Sequence, residues 1–262
     1  MYNLLKFETY KLRHNKTFLI SIMITYLLIV YSIYLFFYSK ITFKILDTSF
    51  QGSEFGFLVN NFKDRLHPKA IEFFYSSFGF SPCIAIILIF TVESIVLDEF
   101  SSGTINNTVV CGHKREKIYI SKFIIISLSA FILITFLLFG TMITGIFINY
   151  FEKSLTSYDL IKSIKVTLLA ALIFSSLISI YMCLAMFIKN KSTLIILCIL
   201  SLLLSTNYPI NFKGFIRYSP VFMLIDISSF KINPYSIIFS STIIIIITTI
   251  IGILKFNKLE LR

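Results

Sequence analysis

The sequence predicts an all-α integral membrane protein with six transmembrane helices, and three observations carry that prediction. Apolar residues make up 56% of the 262-residue chain and charged ones only 14%, against about 25% charged in ordinary soluble domains. Mean hydropathy is +0.86, and a chain this apolar cannot hide its surface in a water-soluble core. Six apolar runs approach the roughly 20 helical residues that a bilayer core of about 30 Å requires.

The N-terminal stretch precedes the first run. Leu4, Leu5, Phe7, Tyr10 and Leu12 alternate there with Lys6, Glu8, Lys11, Arg13 and His14. That pattern predicts an amphipathic helix lying at the membrane interface. It reads as a lead-in to the first span or as a platform touching a cytoplasmic partner. The first span is expected over 17–38. It lacks a small-residue cleavage site, so it reads as a retained helix and not a signal peptide.

Residues 39–72 are polar and carry charges of both signs. They are expected to form a small external cap. The second span, 73–97, contains Pro82 and carries Glu93 near its end. Intramembrane carboxylates are functional candidates by default. Glu93, however, lies only about 6 Å from the interface at 1.5 Å per residue. Pairing with a basic side chain of the adjoining loop therefore outweighs a transport or proton role.

A patterned polar stretch occupies 98–122. Gly103 and Gly112 bracket a short helix, with Thr104 placed to cap its start and Gly112 to end it. Lys114, Arg115 and Lys117 come next. A short helix held flat at the mouth of a membrane bundle can receive force from another protein.

The third and fourth spans are expected over 123–147 and 166–188. Ala171, Ser175, Ser179 and Cys183 recur every four residues along the fourth. Such a row lets another helix approach closely, and packing within the chain outweighs a subunit interface. Only Lys189, Asn190, Lys191 and Ser192 separate this span from a short fifth, 193–208, so the two form a tight hairpin. The segment from Phe215 to Asp226 is too apolar for a plain loop and too short and charged to span. It reads as re-entrant or interfacial ahead of the sixth span, 235–254. The whole of 1–262 reads as one transmembrane domain.

Orientation comes from the basic residues. Of the 24 Lys and Arg, about 13 fall in the termini, the 98–122 loop and the Lys189/Lys191 turn, a denser set than in the opposite loops; by the positive-inside rule that side is cytoplasmic. Both termini are therefore expected inside, in a multi-pass plasma-membrane protein whose richness in Ile, Phe, Asn and Lys suggests an AT-rich bacterial genome. The net charge of +11 reads as orientation and attraction to anionic lipid. Nucleic-acid binding is a poor reading because the basic residues are scattered among loops.

Cys83, Cys111, Cys183 and Cys198 imply no disulfide framework. The three histidines, His14, His67 and His113, are isolated, and no spacing suits zinc. No phosphate loop of the G-x-x-x-x-G-K-[ST] type occurs. Nothing resembles a catalytic set, so the chain is expected neither to be an enzyme nor to bind a cofactor itself.

The opening Asn3-Leu4-Leu5-Lys6-Phe7-Glu8-Thr9-Tyr10-Lys11-Leu12 is similar to the start of the permease subunits of ABC-2 type ABC transporters, in their bacterial exporter and immunity branch. The run from Glu99 to Asn107, together with Gly112-His113-Lys114-Arg115 and Ile118 to Lys122, resembles the loop after that family's second span. The resemblance covers essentially the full length. It implies that the loop holds a coupling helix that docks on a separate ATP-binding subunit. By the resemblance Glu99, Phe100, Gly103, Thr104, Ile105, Asn107, Val109, Gly112, Lys114 and Arg115 are the partner-binding residues. It further implies two ATP-binding subunits, which hold the ATP and magnesium, and a second permease chain, identical or paralogous. An amphipathic peptide, bacteriocin or antibiotic is the expected exported substrate. An ion-coupled secondary transporter, hinted at by Pro82, and a non-transport membrane protein remain the alternatives.

Overall fold

In the computed structural model, residues 1–50, 53–148, 155–188, 190–204, 218–228 and 233–259 are described. The chain begins with α1 (Tyr2–His14) and α2 (Lys16–Tyr38). Asn15 separates them in extended conformation, and its side chain accepts a hydrogen bond from the Phe18 amide at 3.2 Å. Asn is a favoured N-cap, so one residue turns the chain and starts the first long helix. The stripe Leu4, Glu8 and Leu12 of α1 is buried. These positions repeat every four residues, one face of a helix, and that face packs on the rest of the chain.

The stretch after α2 contains more structure than a polar loop. Strands β1 (Phe43–Phe50) and β2 (Ser53–Val59) form an antiparallel hairpin, with Phe43 opposite Val59 and Ile45 opposite Phe57. Phe57 and Val59 are buried beneath it. The Asn60 side-chain amide donates to the carbonyls of Ser39 and Ile41 at 2.9 and 3.0 Å. Arg65 donates to the Phe36 and Asn60 carbonyls at 3.3 and 3.2 Å. A cation bonded to the last carbonyls of a helix complements its dipole, so Arg65 closes α2. Among the described residues the chain is otherwise mainly helical, as expected, and the hairpin is an addition to it.

The second span is not one helix. It divides into α3 (Ala70–Phe78) and α4 (Ser81–Val92), and the pair bends by 52°. The cause is local. Pro82 sits in the first turn of α4, where its missing amide and its ring are tolerated; inside a continuous helix they would not be. A π turn (Glu93–Leu97) and α5 (Asp98–Ser101) continue α4. The next elements are α6 (Thr104–Val110), α7 (Arg115–Ile148), α8 (Ser157–Phe187) and α9 (Lys191–Leu204). The last two are α10 (Pro220–Ser228) and α11 (Pro234–Lys258).

Among the described residues, α2, α7, α8 and α11 are each long and apolar enough to cross a membrane, and the bent α3–α4 pair makes a fifth candidate. The expected fifth span corresponds to α9, which is apolar but shorter, and its expected end at 205–208 lies outside the described residues. So does Lys189 of the preceding turn. Residues 215–217 of the expected re-entrant segment also lie outside them; the described remainder, α10, is a helix with Leu224 and Ile225 wholly buried. Helix α7 begins at Arg115, ahead of the apolar run at 123. With 34 residues it is about 51 Å long at 1.5 Å per residue, more than a bilayer core needs.

Helices α7 and α8 form the centre. Thr141 on α7 donates to Ser77 on α3 at 2.8 Å. Thr248 on α11 donates to Ser179 on α8, also at 2.8 Å. The small-residue row Ala171, Ser175 and Ser179 runs along α8, and Ser179, the member bonded to α11, is fully buried. These contacts give the bundle two ends. The distal end carries the hairpin; the proximal end carries α1, α5, α6 and the C-terminus of α11.

Candidate functional site: the proximal face

The proximal face is organised around α6. Gly103 precedes it at φ 69° and Gly112 succeeds it at φ 84°. Both values lie in the left-handed region that glycine enters without steric cost. The cap at the start is Gly103 itself, correcting the expectation for Thr104. The Thr104 hydroxyl instead donates backward to the Glu99 carbonyl at 3.3 Å, tying α6 to α5. The Gly112 amide donates to the Val109 carbonyl at 2.9 Å and closes the other end.

The expected partner-binding residues divide by placement. Ile105 is 2% exposed and anchors α6 to the core. Asn107, Gly112 and Lys114 are exposed, while Gly103, Thr104 and Val109 are half-buried. Phe100 packs edge-on against Phe256 of α11, with ring centroids 5.7 Å apart. Val110, outside the expected set, is 85% exposed at the tip of the helix.

Arg115 and Glu99 face inward to hold other elements. One Arg115 nitrogen donates to the carbonyls of Phe256, Asn257 and Leu259 at 3.0, 3.1 and 2.6 Å. Two are carbonyls of the last turn of α11 and the third belongs to Leu259, the residue that caps it, at a helix end whose carbonyls run short of intrahelical donors. Glu99 receives Lys122 at 2.6 Å and Lys11 at 3.0 Å. Lys122 also meets Glu8 of α1 at 3.2 Å and the Ile95 carbonyl at 3.3 Å. Glu8 and Lys122 are only 2% and 3% exposed. Helix α1 thus presents an acid and a base, Glu8 and Lys11, to a base and an acid, Lys122 and Glu99. The four charges cancel, which is the condition for burying them.

Glu93 is paired, as its depth suggests, but its partner comes from α9 and not from the adjoining loop. Lys191 reaches Glu93 at 3.4 Å and hydrogen-bonds Asp98. The Asp98 hydrogen bond, with the charges of Asp98 and Glu93 behind it, pushes the lysine pKa above its usual value against a smaller desolvation effect. Asn15 donates to Ser94 at 3.3 Å. A cavity of about 300 Å³ lies between α1 and the π turn, lined by Glu8, Lys11, Asn15, Ser94, Ile95 and Glu99 among others.

Glu8, Lys11, Lys122 and Lys191 were not among the expected site residues. The available signal was a lone carboxylate between Leu4 and Leu12, and a lone lysine at the head of an apolar run.

Long apolar helices with a buried ionic cluster beside a short exposed helix have the build of a membrane component. A family model described as ABC-2 family transporter protein matches residues 4–205, well over half of the chain. The chain belongs to that family, which makes it a component of membrane transport and not itself catalytic. No curated protein matches it.

Proposed function

We propose that the chain is the permease subunit of an ATP-driven exporter, engaged at α6 by a separate ATP-binding subunit. Family membership implies such a partner. The observation that carries the docking reading is α6 itself. It is pinned at both ends by left-handed glycines and anchored inward by Ile105, and it offers Val110 outward. A rigid helix with one apolar tip can fill a pocket on a partner, and pushing on it moves the elements it is tied to.

On this reading the proximal face is cytoplasmic, both termini lie inside, and six spans cross the membrane. The apolar run that contains α9 is the fifth of them and α11 the sixth. The segment before α11 is the re-entrant or interfacial element. Two permease chains, identical or paralogous, enclose the path with two ATP-binding subunits beneath, because one chain has too few helices to surround an amphipathic peptide or antibiotic. Alternating access needs two bodies that rock against each other.

The break between α3 and α4 favours a second reading, an ion-coupled secondary transporter, since broken helices mark ion sites in such proteins. The hydroxyls near the break argue against it. Ser77 donates to the Phe74 carbonyl at 2.9 Å and receives Thr141, so these groups serve the fold.

The test is a photo-crosslinking residue at Val110, activated in host membranes, with mass measurement of the captured chain. Capture of a chain carrying a phosphate loop is expected. An ATPase that co-purifies yet is captured only from other faces would refute docking at α6.

A further inference from the structure

The segment between α4 and α5 is wound as a π turn, with the Asp98 amide bonded to the Glu93 carbonyl five residues back. Such a turn holds one residue more than the α register, and π turns recur at functional sites. In an α-helix, residues five apart point about 140° away from each other, at about 100° per residue. The wider winding here brings Glu93 and Asp98 round to one cation, Lys191. Glu99, the next residue, points elsewhere, to Lys122 and Lys11. Two adjacent acids at the exit of the π turn are therefore held by three different elements: α9, α7 and α1.

The turn itself is also held. Lys122 reaches the Ile95 carbonyl and Asn15 reaches Ser94. The 300 Å³ cavity lies against Ser94, Ile95 and Glu99, so the turn has free space on its α1 side. Helix α6 begins within a few residues of its end.

We propose that this π turn is the joint through which α6 moves the bundle. It rests on the reading that an ATP-binding subunit docks on α6. Closing the turn into α register rotates α5 and the residues beyond it by about one residue position, on the order of 100°. That rotation takes Asp98 off Lys191 and swings Glu99 past the cavity, so a push on α6 exchanges the ionic partners of α1, α7 and α9 together. The extra residue is the feature that allows the exchange. Removing it leaves an ordinary α turn in which Glu93 and the acid now four residues on still share one face.

Spin labels at the exposed positions Thr9 and Ser101, both outside the expected docking residues, leave the ionic cluster intact. Their separation is measured in the cysteine-free chain assembled with its ATPase, without nucleotide and after trapping with Mg-ATP and vanadate. A shift of about 5 Å, roughly one helical pitch, is expected. Deleting Ile95 should abolish the shift while the ATPase stays bound; deleting Leu97 serves if the first variant does not accumulate. Coincident distances in an ATPase-bearing complex of the undeleted chain would overturn the joint alone, as would an unchanged shift in a deletion variant. Failure to recruit any ATPase would overturn the docking reading, and this inference with it.

Discussion

The Lys122 ammonium lies 2.6 Å from the Glu99 carboxylate, and the two side chains are only 4% and 14% exposed. They come from opposite flanks of the segment that holds α6, so the pair closes that segment at its base. Glu8 approaches the same ammonium from α1 at 3.2 Å. Breaking a buried pair from one side leaves a stranded charge, which costs more than the pair contributes.

That asymmetry gives the first prediction. Lys122→Met strands Glu8, while Glu99 keeps Lys11. The loss should be about 3 kcal/mol or more, the usual cost of an uncompensated buried charge. Glu8→Gln with Lys122→Met removes the stranded carboxylate and should recover most of it. Thermal unfolding in detergent measures both. Equal losses in the single and double variants would show that Lys122 acts through packing alone.

The contact of α7 with α11 gives the second. The Tyr119 hydroxyl is buried with no hydrogen-bond partner among the described residues. It lies where a methyl group on Gly252 would overlap it. An unsatisfied buried hydroxyl costs about 1–3 kcal/mol, so Tyr119→Phe should be neutral or stabilising. Gly252→Ala should destabilise by about 1–3 kcal/mol through overpacking. Melting temperatures that fall for Tyr119→Phe would show that the hydroxyl is satisfied in the membrane.

Arg115 gives the third. Three carbonyls at the end of α11, those of Phe256, Asn257 and the capping Leu259, accept from it, and a hydrogen bond to a charged group is worth about 1.5–3 kcal/mol. Arg115→Ala should fray the last turn of α11, and Arg115→Lys should restore it only in part, because an ammonium on a flexible stem is more strongly hydrated and less pre-organised than a guanidinium. Hydrogen exchange across the end of α11 reads the effect. Unchanged protection there would mean that the turn holds without its cap.

Much of this fold was legible because apolar run length and helix-breaking residues are local properties. The runs at 17–38, 123–147 and 235–254 each lie within a single long helix, and that at 166–188 does so but for its last residue. The break after Phe78 was foreshadowed by Pro82, although a run of apolar residues across it masked the bend. The hairpin of Phe43–Phe50 and Ser53–Val59 was hidden because its apolar residues do not alternate strictly with polar ones, as Leu58 between Phe57 and Val59 shows. The proximal charges were visible one by one but not as a cluster. Glu8, Glu99 and Lys122 are brought together by tertiary packing, and no periodicity in one segment reports a partner in another. Arg115 looked like part of a basic patch for the same reason; its acceptors lie at the far end of the chain.

The last prediction separates the two faces of α6. Ile105 is 2% exposed and Val110 is 85% exposed. An aspartate at 105 buries a charge without a partner, so Ile105→Asp should lower the amount of folded protein in the membrane. An aspartate at 110 meets water in the free chain, and surface changes of that kind are usually within about 0.5 kcal/mol of neutral. Val110→Asp should therefore leave folding intact and weaken only a partner's hold on that position. If an ATP-binding subunit seats on Val110, burying that new charge should reduce its co-purification by about tenfold or more, since about 1.4 kcal/mol is a factor of ten in affinity. Expression level and ATPase recovery, measured together for both variants, give the pattern. Full recovery of the ATPase with Val110→Asp would show that docking uses another face of the chain.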